Sequence, residues 1–251
     1  MRLGKEIRAV QEPKSFVEEP LQKQLVAIYE LLENTLGDRG WWPAETREEM
    51  MIGALLVQNV SWSNTVKALD KLRNHDLLNF QHLYDAPDIR IEEDIRSTRF
   101  YKTKTQKLKA LACHVVEVYH NDLNAFLGQP MDKLRKELLS IHGIGQETAD
   151  DIVLYAAGLP SFVIDAYTKR IFSRLGLIEE GIGYQELRDW FMSHLPGDTR
   201  LFNQYHALLD AVGHSFCSTK KPKCPDCPLH SLCQYHTTEL RNLHQSLQPD
   251  P

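Results

Sequence analysis

One short stretch, LLSIHGIGQETA at residues 138–149, decides how this chain folds. Its first half has the apolar spacing of a helix, and a second helical pattern follows directly after the turn at Gly143, Ile144 and Gly145. The two glycines allow a tight turn and a close approach of the backbone to a ligand, and the following helix has unpaired N–H groups at its positive end. This arrangement favours phosphate binding. A plain corner between two helices has the same pattern, because one G-x-G motif is weak evidence.

Helical periodicity continues on both sides of this turn. Apolar residues recur at helical spacing over residues 21–36, 50–60, 65–72, 107–119, 131–139, 149–157, 163–175, 184–195 and 201–212. No alternating run of β-branched residues between turn signals is present, so the pattern gives no support to a sheet. The sequence therefore predicts an all-α protein, with a disordered tail in its last dozen residues, which end in QSLQPDP.

Composition narrows the class of protein. The chain has 251 residues, of which 42% are hydrophobic, so it is long enough to bury a proper core. It has no run of about eighteen apolar residues, and its first residues lack the apolar region of a signal peptide. We therefore expect no membrane attachment and a cytoplasmic location. A net charge of −5 is unfavourable for binding nucleic acid unless the basic residues gather on one face.

A basic run is one candidate for such a face. Its members are Arg99, Lys102, Lys104, Lys107 and Lys109. A run of this kind is usually a solvated helix face, but it also fits a positive patch that binds phosphate.

Four of the five cysteines are crowded into seventeen residues near the C-terminus: Cys217, Cys224, Cys227 and Cys233. Such crowding does not fit a disulfide framework, which a reducing compartment also disfavours. Four thiolates are enough for a tetrahedral zinc ion or for an iron–sulfur cluster, and ligand softness does not separate the two. From their number and spacing, the cysteines predict a metal centre of one kind or the other.

Three motifs, taken in order, resemble the helix-hairpin-helix (HhH-GPD) DNA glycosylase superfamily, in particular its endonuclease III-like members with an iron–sulfur cluster. The hairpin at residues 141–149 is similar to the family pattern L-P-G-V-G-x-x-T-A, and FVIDAYTKR at residues 162–170 is similar to its V-D-x-x-x-x-R segment. The cysteines complete the set, because their 6-2-5 spacing matches the family's [4Fe-4S] motif. The resemblance extends from about Leu21 to Cys233. It implies base excision repair of double-stranded DNA that contains a damaged base.

The resemblance also implies an architecture. It places a DNA groove between two helical domains, of which one is continuous over residues 40–158 and carries the hairpin. The other is made of residues 1–39 and 159–251 and carries the cluster loop at residues 217–233. A protein of this kind is expected to act as a monomer at the nucleoid.

In the family, the essential catalytic carboxylate stands at the position of Asp165. From the residues alone, Asp165 fits the N-cap of a helix equally well. Breaking an N-glycosidic bond builds positive charge on the sugar, and a fixed carboxylate stabilises that state once the base has been flipped out of the double helix. The resemblance therefore makes Asp165 the predicted catalytic residue.

The hairpin departs from the family pattern at Glu147. Members that also cleave the strand have a lysine here, whose amine attacks the sugar and forms a Schiff base. A carboxylate cannot form an imine, so the departure predicts a monofunctional glycosylase that leaves an abasic site, with Lys169 as a less favoured substitute amine. Glu147 also fits a plain structural role, as an acid that complements the helix dipole in the first turn.

The resemblance assigns the DNA contacts to the hairpin residues Gly143, Ile144 and Gly145 and to Gln58 and Lys169. Gln58 ends a helical segment at the side of the protein that faces DNA in the family. Its amide can both donate and accept hydrogen bonds, so it is expected to fill the gap that the flipped base leaves.

Aromatic residues surround the helix that ends at Gln58. Trp41, Trp42 and Pro43 precede it and Trp62 follows it, and with Glu147 they are predicted to form the base pocket. The W-W-P element resembles the 3-methyladenine DNA glycosylase III branch. Flat rings attract a cationic alkylated purine by stacking and cation–π attraction, although tryptophans that anchor helix ends fit the same pattern.

Excision of an alkylated purine is therefore the leading prediction. A bifunctional glycosylase and lyase for oxidised pyrimidines, a mismatch glycosylase, and a non-enzymatic DNA-binding iron–sulfur protein are the alternatives. Base release without strand cleavage would support the first prediction. Strand cleavage would indicate the lyase, and binding without base release would indicate the non-enzymatic protein.

Overall fold

The computed structural model describes residues 20–238, and these residues form helices and connecting loops without any strand. Their α-helices are α1 (Leu21–Leu36), α2 (Arg47–Leu56), α3 (Trp62–Asn74), α4 (Phe80–Asp85), α5 (Asp88–Asp94), α6 (Tyr101–Tyr119), α7 (Leu123–Leu127), α8 (Met131–Ser140), α9 (Gln146–Asp151), α10 (Ala166–Leu175), α11 (Tyr184–His194) and α12 (Thr199–Ser215). The prediction of an all-α protein is confirmed, whereas the tail predicted to be disordered lies outside the described residues. Within residues 20–238, the helices are too short or too polar to cross a membrane.

The observed helices differ from the predicted ones in two ways. The short helices α4, α5 and α7 have no predicted counterpart, because five to seven residues hold too few turns to show a periodic pattern. The helix predicted at residues 149–157 is instead the end of α9 followed by a π-helical turn at Ile152–Ala156. Such turns are frequent at functional sites.

The first hydrophobic cluster surrounds α2, which is buried on nearly every side from Met50 to Leu56. Helices α3 to α9 pack around it. The Thr46 hydroxyl begins α2 by accepting a hydrogen bond from the Glu49 backbone N–H at 3.1 Å. The burial of α2 holds the position of the loop that carries Gln58.

The second hydrophobic cluster joins the N-terminal helix α1 to α10, α11 and α12. Phe162 stacks on Phe191 with 4.0 Å between ring centroids, and the Tyr205 hydroxyl donates to the Leu25 carbonyl at 2.9 Å. The first described helix therefore packs with the last ones. Domain boundaries at residues 40 and 158 stay a prediction.

Helices α10 and α12 approach each other closely at Gly213, where a Cβ would overlap the ring of Tyr167. Asp165 immediately precedes α10, and the helix ends at Gly176, whose φ of +81° favours glycine. The close packing brings the N-terminal end of α10, with Asp165, against the last turns of α12.

A buried ion network connects the two clusters. Asp150 in α9 is fully buried, and its carboxylate accepts hydrogen bonds from Arg135 at 2.8 and 3.0 Å and from Arg188 at 3.0 Å. The Ser161 and Tyr184 hydroxyls also donate to it, the latter at 2.9 Å. A buried charge without partners is costly, whereas this one is fully satisfied. The network therefore ties α8 and α9 to α11.

Candidate active site

Gly143 turns the hairpin between α8 and α9. Its φ is +88°, and a Cβ here would overlap the side chain of Lys107 in α6. Both facts favour glycine, because other residues are strained at such a φ. The hairpin backbone therefore lies directly against α6.

The Gln58 side chain is held by the hairpin and by α6. Its Nε2 donates to the Thr148 hydroxyl at 2.9 Å and to the Gly143 carbonyl at 3.4 Å, and its Oε1 accepts from Lys107 Nζ at 2.5 Å. The structure thus brings Gln58 together with Gly143, Ile144 and Gly145 around one groove. The insertion of Gln58 into DNA stays a prediction.

Asp165 is the N-cap of α10, as its sequence context allows. Its Oδ1 accepts a hydrogen bond from the Thr168 backbone N–H at 2.6 Å. Its other carboxylate oxygen makes no hydrogen bond to any residue from 20 to 238, and the side chain is half-buried. The cap therefore orients the carboxylate and leaves one oxygen available.

One turn later in α10, Lys169 donates its amine to the Ile182 carbonyl at 3.2 Å. The positive charge of Lys169 also acts on Glu147, where it opposes the rise in the pKa of that carboxyl. The structure thus brings Lys169 near Glu147 and Asp165, with its amine bonded to a backbone carbonyl.

Four carboxyl groups interact electrostatically at this site: Glu147, Asp151, Asp165 and Asp210. Desolvation and repulsion from Asp165 raise the pKa of Glu147 to about 7, although its side chain is exposed at the edge of the groove. Asp151 is only 5% exposed, and its Oδ1 has no hydrogen-bond partner in the described part of the chain. Burial, and then the neighbouring carboxylates, raise the pKa of Asp151 well above its usual value.

Sequence reasoning missed Asp151 and Asp210, because acids within a helical pattern are normally solvent-exposed. The nearest sequence signal is the pair Asp150 and Asp151 inside an otherwise apolar segment, directly after the hairpin. No signal marks Asp210, which reaches the site through the packing of α12 on α10.

Tyr155 lies among these acids. Its hydroxyl is 2.6 Å from Nδ1 of the buried His206, and the Trp42 ring packs on it with 5.5 Å between centroids. Burial, with Asp151 as the next cause, raises the pKa of the Tyr155 phenol well above its usual value. A neutral phenol therefore lies between the aromatic cluster and the carboxylates. No local sequence motif marks Tyr155 or His206.

The three predicted tryptophans contact one another. The ring centroid of Trp41 is 5.3 Å from that of Trp42 and 5.2 Å from that of Trp62, and the centroids of Trp42 and Trp62 are 5.5 Å apart. Trp41 and Pro43 line one wall of a cleft against α12. Glu147 lines the hairpin groove and does not line this cleft, and a base pocket formed by Glu147 with the aromatic residues stays a prediction.

The basic run is not the continuous solvated face that its sequence pattern allows. Lys104 is only 3% exposed, and its amine donates to the Leu56 and Thr98 carbonyls at 2.7 and 2.8 Å. Lys109 donates to the Tyr84 and Ala86 carbonyls. These amines satisfy backbone carbonyls, which periodicity cannot foresee. Arg99 and Lys102 remain exposed.

Sequence reasoning also missed Phe100, which is 70% exposed. Arg99 and Phe100 have φ values of 55° and 41°, a conformation that costs energy for side chains of this size. Phe100 directly precedes α6, and one turn later in this helix Lys104 bonds to Leu56 at the end of α2. An exposed aromatic ring on a strained loop is a candidate binding residue.

The four clustered cysteines line one small cavity: Cys217, Cys224, Cys227 and Cys233. Arg174 from α10 donates to Cys217 Sγ at 3.2 Å, and the Cys233 thiol donates to the Arg174 carbonyl at 3.3 Å. Burial, followed by repulsion from the other cysteines, raises the pKa of Cys227 to about 11. Within residues 20–238, no three His, Cys, Asp or Glu side chains are arranged to hold a single metal ion.

The chain matches one family model and several known proteins. The model, described as HhH-GPD superfamily base excision DNA repair protein, matches residues 52–196. MJ1434 of Methanocaldococcus jannaschii, named as a candidate DNA repair glycosylase, is 42% identical over 212 residues, which cover 84% of this chain and 96% of the relative. Endonuclease III of Bacillus subtilis is 28% identical over 144 residues, which cover 57% of this chain and 61% of the relative.

Solved structures share the fold. A trapped endonuclease III–DNA covalent intermediate has a TM-score of 0.76 and 22% identity, and the match covers 89% of this chain and 100% of that one. The Helicobacter pylori 3-methyladenine DNA glycosylase (MagIII), bound to 1,N6-ethenoadenine, has a TM-score of 0.58 and 24% identity, with 94% and 100% covered. Since the family model matches more than half of the chain and MJ1434 is similar along nearly its whole length, this chain belongs to the HhH-GPD superfamily and is a DNA glycosylase of base excision repair.

Proposed function

We propose that this chain is a monofunctional DNA glycosylase that removes alkylated purines such as 3-methyladenine from double-stranded DNA. The observation that carries the proposal is a carboxylate, Glu147, at the hairpin position where a lyase needs an amine, close to Asp165 and its one free oxygen. The aromatic cluster of Trp41, Trp42 and Trp62 supports the choice of an alkylated purine.

Asp165 supplies the chemistry of base removal in this proposal. As the N-glycosidic bond breaks, positive charge develops on the sugar, and the oriented carboxylate stabilises that charge and positions a water molecule. A purine alkylated at a ring nitrogen, such as 3-methyladenine or 7-methylguanine, is already cationic in DNA and departs without protonation of the leaving group. The enzyme therefore needs little beyond a fixed carboxylate and a pocket for the flipped base.

The proposed lack of lyase activity is based on the side chains near Asp165. Glu147 has no amine to attack the sugar, and Lys169 donates its amine to the Ile182 carbonyl. Lys169 is the residue that could form a Schiff base in place of the missing lysine, because its charge acts on Glu147 and its amine is therefore near the site. An adduct trapped through Lys169 would make the enzyme bifunctional.

The proposed DNA contacts centre on the hairpin groove. The hairpin residues Gly143, Ile144 and Gly145 line this groove with Gln58, and the charge of Lys169 acts on Glu147, which also lines it. Phe100 adds an exposed ring that would stack against a base. The fold itself is shared by glycosylases with different substrates, so the substrate assignment depends on these residues.

The cysteines fit a [4Fe-4S] cluster in their chemistry. Four half-buried thiols line one cavity, and burial disfavours their ionised forms unless a cationic group compensates the charge. When bound, such a cluster would be held by Cys217, Cys224, Cys227 and Cys233 and would brace the loop after α12. Arg170 and Arg174 would tie it to the helix that follows Asp165, since they donate to the Cys217 carbonyl and Sγ.

A panel of duplexes, each with one lesion, tests the proposal. We expect release of 3-methyladenine or 7-methylguanine, no strand cleavage, and no covalent adduct with borohydride. Strand cleavage or an adduct would show a lyase, and thymine or adenine release from mispairs would show a mismatch enzyme. Binding without any release, by protein that retains its iron, would contradict enzymatic function altogether.

A further inference from the structure

A cleft between α12 and the segment that carries Trp41 and Pro43 contains a carboxylate that the mechanism does not use. Asp210 lies in this cleft, opposite Trp41 and Pro43. The cleft has a volume of about 270 Å³, which is near the lower end of the range for sites that bind small ligands. It is thus large enough for a flat heterocycle of modest size.

Asp210 is half-buried and makes no hydrogen bond or ion pair with any residue from 20 to 238. Arg39 and His214 line the same cleft, but they act on Asp210 only through longer-range attraction. Burial and repulsion from Asp165 act in the opposite direction and raise the pKa of Asp210. A carboxylate that loses water without gaining a partner costs free energy.

The surroundings of Asp210 point to the ligand that would recover this cost. Trp41 adds an aromatic ring to the cleft. A positively charged, flat ligand would pair with the carboxylate and stack on this ring at the same time. A neutral base could give the carboxylate a hydrogen bond but not a compensating positive charge.

We propose that Asp210 determines specificity by binding the positive charge of an alkylated purine in the cleft beside Trp41. The inference rests on the proposed function, because it identifies the part of the active site that recognises the cationic base. Asp210 and Asp165 interact electrostatically, and the proposal places the base beside Asp210 and its sugar beside Asp165. Asp165 then serves the sugar and Asp210 the base.

Two measurements on Asp210→Asn test this inference. In single-turnover assays, release of cationic 7-methylguanine should fall by about tenfold or more, whereas release of neutral hypoxanthine should change by less than about threefold. Asp210→Glu, which retains the charge, should preserve the preference. Glu93→Gln on the exposed face of α5 removes the same formal charge far from the cleft and should have no effect.

The second measurement does not depend on excision. Tryptophan fluorescence should report tighter binding of 7-methylguanosine than of guanosine by the wild type, and Asp210→Asn should lose this difference while its circular dichroism stays unchanged. Equal binding of both nucleosides by the wild type, or an equal loss for both in the variant, would overturn the role of Asp210. If the cation preference depends on Asp210 but no alkylated purine is released from DNA, the cleft is correctly described and the proposed function is wrong.

Discussion

Asp150 and Asp151 are neighbours in α9, and both are buried, yet their surroundings are opposite. Asp150 has two arginines and two hydroxyl groups as partners. Asp151 has an oxygen without any partner in the described chain, and it is surrounded by other acids. The first carboxylate serves as a tie between helices, whereas burial and the neighbouring acids favour the protonated form of the second.

The difference shows how one helix supports both stability and chemistry. A buried charge that is fully paired can hold helices together, because removing it leaves the partner charges unpaired. A buried acid without partners gives up stability and is retained where it has a function. Glu147, Asp151, Asp165 and Asp210 form the unpaired region, in which no carboxyl group has an ion-pair partner among the described residues, and a cation would relieve their mutual repulsion.

The largest expected effect is on the unpaired region. Asp165→Asn should lower the single-turnover rate of base release by about 10³-fold or more, because the stabilising charge is lost while the cap remains. Binding of lesion-containing DNA should persist in gel-shift assays. Asp198→Asn is the matched control, since Asp198 caps α12 with the same 2.6 Å bond and lies outside the acidic group. Equal losses in both variants would show that Asp165 is only a cap.

The next largest effect is expected for Asp150, the carboxylate that is paired with two arginines. Asp150→Ala should lower the free energy of unfolding by about 3–5 kcal/mol, because it leaves Arg135 and Arg188 buried without their counter-charge. Urea denaturation followed by circular dichroism measures this loss. Asp189→Ala removes an exposed partner of Arg188 and should cost little. A loss of less than about 1 kcal/mol for Asp150→Ala would contradict its role as a tie between the clusters.

Lys104 provides an intermediate case, a buried amine whose partners are neutral carbonyls. Burial lowers the pKa of Lys104 to about 8. Lys104→Met should cost about 2 kcal/mol in thermal or urea unfolding, because the Leu56 and Thr98 carbonyls lose their donor. The exposed Lys102→Met is the control. Unchanged stability in Lys104→Met would mean that the two carbonyls find other donors.

Asp151→Asn tests whether the unpaired acid is protonated. The folded protein keeps a proton on Asp151 at pH values where the unfolded chain has lost it, so this group makes stability fall as the pH rises above about 4. The variant lacks this dependence. Relative to the wild type, it should gain about 1 kcal/mol or more between pH 5 and pH 8, measured by urea unfolding at each pH. A constant difference across this range would show that Asp151 does not bind a proton on folding.

The smallest effect concerns Glu147 at the edge of the groove. Since its pKa is about 7, it gains a negative charge as the pH rises through neutrality, and DNA affinity should fall. The change should be only a few-fold, because the side chain is exposed to solvent. Glu147→Gln should remove this step in fluorescence anisotropy with an undamaged duplex, on which no excision occurs. An unchanged pH profile would assign the step to another group.

The fold was largely predictable from the sequence because long helices show their periodicity locally. The hairpin, α1, α8, α10 and α12 all lie on predicted helical segments. The short helices α4, α5 and α7 were missed, since their positions depend on packing against α6 rather than on their own pattern. The π-helical turn after α9 was missed for the same reason.

By itself, the sequence determined the family, the candidate catalytic carboxylate Asp165, the amine missing at Glu147 and the set of clustered cysteines, because these depend on residue types at fixed spacing. Only the tertiary structure decided which of the two adjacent acids in α9 is paired, that Lys104 is buried, and that Asp210 and Tyr155 reach the site. The physical reason is that burial and charge pairing are set by helices far apart in the chain. Arg188 reaches Asp150 in α9 only because α11 packs there. In the same way, Asp210 comes near Asp165 only because α12 packs on α10.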